Sequence, residues 1–390
     1  MSEQSQPSRS PIRLCVVVTV DITLINLCRG RFEHLASRGF EITAVCAPTA
    51  RAAEIEARGV RVHVAPLVRA ISPIQDALAT WNLYRFFRRE QFDLIEVSTP
   101  KGALIGAIAA QMAAAPHIVH LLRGLAYVNH TGLTARLLRQ SARIPCNLAQ
   151  RTIAVSHSTL DRAVRDGVCP PGRGVVLGAG SSNGIDLERF HPPTPQERAA
   201  ARRDFGLAED AIVAGFVGRL TRDKGIVDLV DAFGAAAECN PRLHLLLAGD
   251  IEERDKPPRA TLDAIQSHPR IHALGWLIDT RPCLAAIDFF VLPTHREGFG
   301  TVLLEAAAMG APVITTDEAG WWGEIVPNED ALNVAVGDVA GLRQAIERMA
   351  VDTGLRARLA GSARSKVAEH FDCRRVWSLQ EQEFRRIVGR

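Results

Sequence analysis

The chain has 390 residues, enough for two or three domains that each bury a core, and its 47% hydrophobic and 23% charged residues exclude a disordered or fibrous protein. Apolar runs such as LCVVVTV and LHLLLAG are too short to span a bilayer, and the polar start MSEQSQPSRS has no secretory apolar core, so a cytoplasmic protein is expected. The net charge of +3 is uneven: residues 1–190 carry 22 Arg+Lys against 14 Asp+Glu, and residues 191–390 carry 24 against 29.

A basic first half suits nucleic acid, anionic lipid or phosphate-bearing substrates. Few aromatics accompany these arginines and no nucleic-acid-binding motif occurs, so nucleic acid is set aside. The eight cysteines show neither CxxC nor Cys/His metal spacing and read as buried thiols. No metal site is expected.

In chain order, RLCVVVTV, FEITAVCAP, VRVHVAP, FDLIEVST, HIVHLLRG and TIAVS are short buried-strand candidates separated by helical patterns such as RGRFEHLASRG and GALIGAIAAQMAAAP. Alternating strand and helix imply a parallel sheet covered on both faces, here over residues 11–190. The proline-rich stretch HPPTPQERAAARRDFGLAED is the connection. A second series, AIVAGFVGRL, LHLLLAG, IHALG, FFVLPT, APVITTD and LNVAV, predicts another such domain over 200–365, and helical patterns continue through 366–390 as a tail. The expected fold class is α/β, two doubly wound Rossmann-like domains facing a cleft, with ligands beyond the carboxyl ends of the strands.

Two stretches of the second half carry chemistry. GFVGRLTRDKG turns at Gly218 and presents Arg219 and Lys224 before a helix; a guanidinium that can fork two oxygens and an ammonium point charge suit a diphosphate. Lysine is rare here, four residues against 42 arginines, so Lys224 is less apt to be surface filler, although a solvated loop accounts for it equally. In HREGFGTVLLEAAAMG, Gly298, Phe299, Gly300 and Thr301 lead into a helix whose free amides and dipole would hold a phosphate. Glu305, eight residues after Glu297, could accept two vicinal ribose hydroxyls.

GRLTRDKG followed by EGFGTVLLEAAAMGAPVITTD resembles the retaining, nucleotide-sugar-dependent glycosyltransferases of the GT-B fold, the glycosyl transferases group 1, whose Glu-x7-Glu motif is met by Glu297 and Glu305. VSTPKGALIGAIAAQ, RGLAYVNHTG, VSHS and GSSNGIDLERF are similar to the first half of bacterial members that build lipid-linked or capsular polysaccharides. The resemblance implies a donor held by the second domain, with Arg219 and Lys224 on its diphosphate, Glu305 on the ribose and Glu297 near the donor sugar. By this reading Glu297 reaches past the phosphate while the amides of residues 299–301 hold the anion; a helix cap is the plain alternative.

It further implies retention by front-face attack, no metal and no cofactor, the nucleotide sugar being a substrate. The partners expected are a UDP-linked donor, with GDP-mannose and ADP-glucose as alternatives, and a saccharide or lipid-linked acceptor. A sugar-nucleotide epimerase of similar fold and a non-catalytic sugar-nucleotide binder stay open. A dinucleotide dehydrogenase lacks support, because no GxGxxG follows the first strand.

The first half offers weaker candidates for the acceptor or sugar side. Thr99 and Lys101 stand at a strand-to-helix junction, and Lys101 could meet an acceptor phosphate or simply open a helix. Where relatives often have His-Gly after the fifth strand, this chain has Arg123-Gly124, a departure at the position where that histidine approaches the donor sugar. Where many relatives have Gly-Gly after the first strand, it has VTVDIT, bringing Asp21 and Thr23, with Asp21 equally suited to a cap. Asn129 and His130 could line the acceptor side. Two basic, partly aromatic stretches, WNLYRFFRRE and RLLRQSARI, suit transient attachment to an anionic membrane surface, on the inner face of the cell membrane, or plain solvated helices.

Overall fold

In the computed structural model, residues 10–70 and 72–390 are described. The first sheet contains β1 (Ile12–Val17), β2 (Phe40–Cys46), β3 (Arg61–Val64), β4 (Leu94–Ser98), β5 (Ile118–Leu122), β6 (Arg151–Ala154) and β7 (Gly174–Val176), all parallel in the order β3-β2-β1-β4-β5-β6-β7. β4 and β5 are buried at every position, with the polar Glu96, Ser98 and His120 included, so they are mostly apolar and show no alternation of apolar and polar residues. β7 has three residues, too few for a periodic signal, and was not anticipated.

The second sheet contains β8 (Ile212–Val217), β9 (Leu243–Ala248), β10 (Ile271–Gly275), β11 (Phe289–Leu292), β12 (Val313–Thr316) and β13 (Leu332–Val334) in the order β10-β9-β8-β11-β12-β13, again parallel. All six expected strands are present. Each sheet reverses its winding once, between β1 and β4 and between β8 and β11. Backbones diverge at such a point and leave a crevice beyond the strand ends.

The chain divides into two compact units, residues up to Asn183 with Arg374–Arg390, and Gly184–Cys373. This differs from the expected limits at 190, 200 and 366. Ile185 hydrogen-bonds through its backbone to Phe371 and Cys373, which ties the start of the connection to the second unit. The helix Pro195–Asp204 that follows is fixed by a capping box between Thr194 and Glu197.

The last helix, Cys373–Val388, belongs to the first unit rather than to a separate tail. Its Phe384 is fully buried with Ile12, Leu14 and Phe40, and Glu383 and Glu381 pair with Arg151 (3.0 Å) and His34 (3.4 Å). The amphipathic pattern revealed the helix but not the sheet that accepts it. Seven of the eight cysteines are buried; Cys239 is exposed, contrary to the expectation for all eight.

Candidate active site

The carboxyl ends of β8 to β11 gather the charged residues of the second unit. After β8 the chain runs through Gly218 and Arg219 into the short 3-10 turn Arg222–Lys224, and Gly225 then starts the helix Ile226–Cys239. Gly225 has φ +72°, and an added Cβ would collide with the Pro293 carbonyl, so only glycine lets this turn lie against the end of β11. That approach sets Lys224 beside the loop after β11. Its Nζ donates to Glu297 Oε2 at 2.7 Å, with the two side chains 12% and 21% exposed.

Arg219 is held by Glu252, from the loop after β9, and by Asp223 at 3.5 Å. Burial works against its charge, yet Glu252 and Asp223 raise its pKa above the ordinary value. Asp223 also accepts from Thr221 and lies 3.9 Å from Arg296, while its carbonyl accepts from the His295 amide and the Thr294 hydroxyl. The two sequence stretches are therefore stitched together through Asp223. Burial raises the Asp223 pKa, but Thr221, Lys224 and Arg219 outweigh it and hold the carboxyl below its usual range.

Glu305 stands on the helix Thr301–Ala308, where its carboxylate accepts from Thr280 Oγ1 at 3.0 Å. Burial pushes its pKa up to about 7; the Thr280 hydrogen bond lowers it and nearby Asp279 adds to the rise. It is a carboxyl poised near neutrality, beside the expected anion site.

The amide cradle differs from expectation. Gly300 N donates to Ala319 O (3.2 Å) and Thr301 N to Phe299 O (2.9 Å), so these two amides are not free. The Thr301 bond is local, whereas the turn after β12 takes the Gly300 amide, because Glu318–Gly320 lies across the loop and also takes the Glu297 amide at 2.9 Å. Gly320, at φ +75°, permits the contact, since a Cβ there would meet the Gly298 carbonyl at 2.6 Å. Gly298 lies within this same contact, and the Phe299 ring packs on Phe371 at 5.6 Å. Positive charge at the site therefore comes chiefly from Arg219, Lys224 and Arg296.

In the first unit, several candidates are held by neighbours. Lys101 Nζ pairs with Asp76 at 2.7 Å and bonds the Ala70 carbonyl, which ties two helices together. Asp21 accepts from the Ile22 amide (2.7 Å) and the Thr49 hydroxyl (2.5 Å), and Thr23 is buried on the short helix Asp21–Leu27. Thr99 has φ +64°, uncommon for a β-branched residue; its Oγ1 bonds the Thr19 amide at 3.0 Å and the Thr19 hydroxyl at 2.8 Å. This clasp joins the ends of β1 and β4 at the winding reversal.

Arg123 follows β5, donates from Nε to Ser98 Oγ (2.9 Å) and is followed by Gly124. His130 is exposed; Asn129 closes the turn Ala126–Asn129, and its side chain lies outside the described residues. Of the aromatic residues expected at an interface, Phe86 and Phe87 are instead core residues, whereas Trp81 is exposed. Arg139 bonds the Asp166 carbonyl. Trp321 is fully buried and Trp322 donates to the Thr316 carbonyl, so the pair supports the turn after β12.

Glu252, Asp223, Thr280 and Arg296 were not singled out in the sequence. Arg296, beside Glu297, carried a local signal; Glu252 and Thr280 come from separate loops with no motif. Among the described residues, no three His, Cys, Asp or Glu side chains converge as a metal site.

The chain thus has two parallel-sheet units, one of them with a cluster of cations and carboxylates at its winding reversal. Residues 211–352 match the glycosyl transferases group 1 and residues 28–180 the glycosyl transferase 4-like domain. The chain belongs to the group 1 glycosyltransferases of GT-B fold and is a glycosyltransferase. It is 28% identical over 360 residues to the capsular polysaccharide biosynthesis glycosyltransferase CapM of Staphylococcus aureus, covering 92% of this chain and 93% of that one. It is 26% identical over 346 residues to the UDP-Gal:alpha-D-GlcNAc-diphosphoundecaprenol alpha-1,3-galactosyltransferase of Escherichia coli, covering 87% and 88%. The structure of Anabaena Alr3699/HepE in complex with UDP and glucose shares the fold, with a TM-score of 0.78, 21% identity and coverage of 96% and 98%.

Proposed function

We propose that the chain is a retaining glycosyltransferase that moves a sugar from a UDP-linked donor to a saccharide acceptor carried on a lipid diphosphate, in the synthesis of a bacterial surface polysaccharide. The observation that carries this reading is the Lys224–Glu297 pair, with Arg219 and Glu305 on the same strand ends. Breaking a glycosidic bond to a nucleoside diphosphate develops negative charge on the leaving phosphate. Lys224 and Arg219 are fixed cations that can neutralise it without a metal ion, and fixed charges stabilise it without reorganising at the moment of reaction. Glu297 holds Lys224 in place before the donor arrives and then has a carboxylate oxygen for a sugar hydroxyl. Glu305 accepts the ribose hydroxyls. The names of the S. aureus and E. coli relatives support a surface-polysaccharide role and a lipid-diphosphate acceptor, and the latter supports UDP.

A lipid-linked acceptor requires a place at the membrane. No helix among the described residues is long and apolar enough to cross one. The helices Pro73–Glu90 and Gly132–Leu148 both pack beside Pro100–Met112 and leave Ile74, Leu78, Trp81, Leu133 and Leu137 exposed, with Arg136 and Arg143 among them. Apolar tips amid arginines suit the headgroup layer of an anionic leaflet. The test is transfer from radiolabelled UDP-hexoses, in EDTA, to a polyprenyl-diphosphate-linked saccharide, with the product anomer read by NMR. Transfer with the donor's α-configuration retained supports the reading. Inversion, release of an epimerised sugar without acceptor, or nucleotide binding with no turnover under any donor each overturns it.

A further inference from the structure

The carboxyl ends of β4 and β5 in the first unit hold a buried excess of positive charge. Arg31 is fully buried and forks Glu96 through both terminal nitrogens, one at 3.0 Å, in an ion pair whose side chains are 0% and 1% exposed. Arg123 joins this cluster from the end of β5. Its Nε is satisfied by Ser98, and Nη2 reaches only the weak acceptor Cys28 Sγ at 4.0 Å. Its Nη1 is enclosed and has no partner, as is Nε of Arg31. Two guanidinium groups thus share one carboxylate.

A buried cation without a counter-charge is costly, and a buried N–H with no acceptor adds to that cost. Burial accordingly lowers the Arg123 pKa, with Cys28 and Glu96 acting in the opposite direction and Arg31 reinforcing the fall. The groups facing Arg123 are thus one carboxylate already forked by Arg31, a second guanidinium, a thiol and a hydroxyl. None is a free anion. Arg123 is nevertheless not a fully buried residue, and it stands at the strand ends where a doubly wound sheet receives ligands. A planar guanidinium with a vacant donor, in low dielectric, is matched by the two oxygens of a carboxylate or phosphate.

We infer that Arg123 completes an oxyanion site in the first unit and selects an acceptor bearing a negative charge, either the carboxylate of a uronic acid or the phosphate of a lipid-linked saccharide. This rests on the glycosyltransferase reading and names the substrate class that the first unit favours. A neutral hexose leaves Nη1 unpaired, whereas an acidic group supplies the acceptor that it lacks.

The test uses the full chain and calorimetric titration at fixed ionic strength. Both arms are run with UDP saturating the nucleotide site: one compares glucuronate with glucose, the other geranyl diphosphate with geraniol. In at least one arm the anionic member is expected to bind about tenfold or more tightly, equivalent to about 1.4 kcal/mol. Arg123→Gln should erase that preference, and Arg123→Lys should keep part of it, while UDP affinity stays within about twofold. The arm that responds identifies the source of the anion. No preference in either arm, or one that survives Arg123→Gln in protein that still binds UDP, overturns the inference. Absence of UDP binding to the wild-type chain strikes the UDP-donor reading instead. If Arg123→Gln does not fold, Arg123→Lys and the two wild-type comparisons decide the matter.

Discussion

The two winding reversals have the same backbone topology and opposite chemistry. Between β1 and β4, Thr19 and Thr99 clasp each other, Asp21 bonds Thr49 and Lys101 bonds Asp76, so polar groups are spent on holding the strand ends. Between β8 and β11, Lys224, Arg219 and Arg296 gather around Glu297, Asp223 and Glu252; the Lys224–Glu297 pair is as short and as sheltered as Lys101–Asp76, but it stands in a cluster of three cations. A fold-level crevice is therefore only an opportunity. The gathering of cations sets the second reversal apart.

The largest effect that would break this comparison is at the second reversal. Glu297→Gln and Lys224→Ala are each expected to lower kcat by about 100-fold or more, the usual scale for removing a preorganised electrostatic group, while thermal melting stays close to wild type. Near-normal turnover in both would dissolve the distinction. At the first reversal, Lys101→Met and Asp21→Asn are expected to leave kcat within about threefold, because neither residue stands in the cation cluster of the second unit. A 100-fold loss in either would show that its ion pair or hydrogen bond opens for substrate.

Glu305→Ala is expected to weaken UDP binding by about 10- to 100-fold, the scale of a hydrogen bond to a charged group, with a smaller effect on kcat. Unchanged affinity in calorimetry would remove the ribose assignment. The same residue gives a pH signature. Burial raises its pKa from 4.5 to about 7, so the folded chain retains a proton that the unfolded chain releases. Its contribution to stability is present below pH 4.5 and is lost as pH rises through about 7. Accepting ribose hydroxyls needs the ionised form, so UDP affinity should rise between pH 6 and 8, and Glu305→Gln should flatten that rise. A wild-type profile that falls over this interval contradicts the role.

The smallest predictions concern the fold around the sites. Phe384→Ala removes a ring from the first-unit core and is expected to cost about 3–5 kcal/mol, with nucleotide affinity retained in the folded fraction. Loss of nucleotide affinity in that folded fraction would contradict a purely structural role for this helix.

Much of the fold was legible because parallel strands buried on both faces are mostly apolar; twelve of the thirteen strands among the described residues could be read from short apolar-rich runs. The three-residue β7 could not, and neither could the return of Cys373–Val388 to the first sheet, because an apolar helix face does not name its partner. Arg219, Lys224, Glu297 and Glu305 were legible as chemistry because each stretch carries its charge beside a glycine turn. The fate of the Gly300 amide was hidden, since it depends on Glu318–Gly320 crossing from the next strand. The partner of Lys101 was hidden for the same reason: Asp76 belongs to a helix two elements away, in contact but remote in motif.

The most direct measurement is calorimetric titration of UDP, GDP, ADP and NAD, in EDTA, against the wild-type chain and Lys224→Ala. The account predicts metal-independent binding of UDP in preference to the others, weakened at least tenfold by Lys224→Ala. Tight NAD binding with no nucleoside-diphosphate signal, or UDP affinity indifferent to Lys224→Ala, would contradict it.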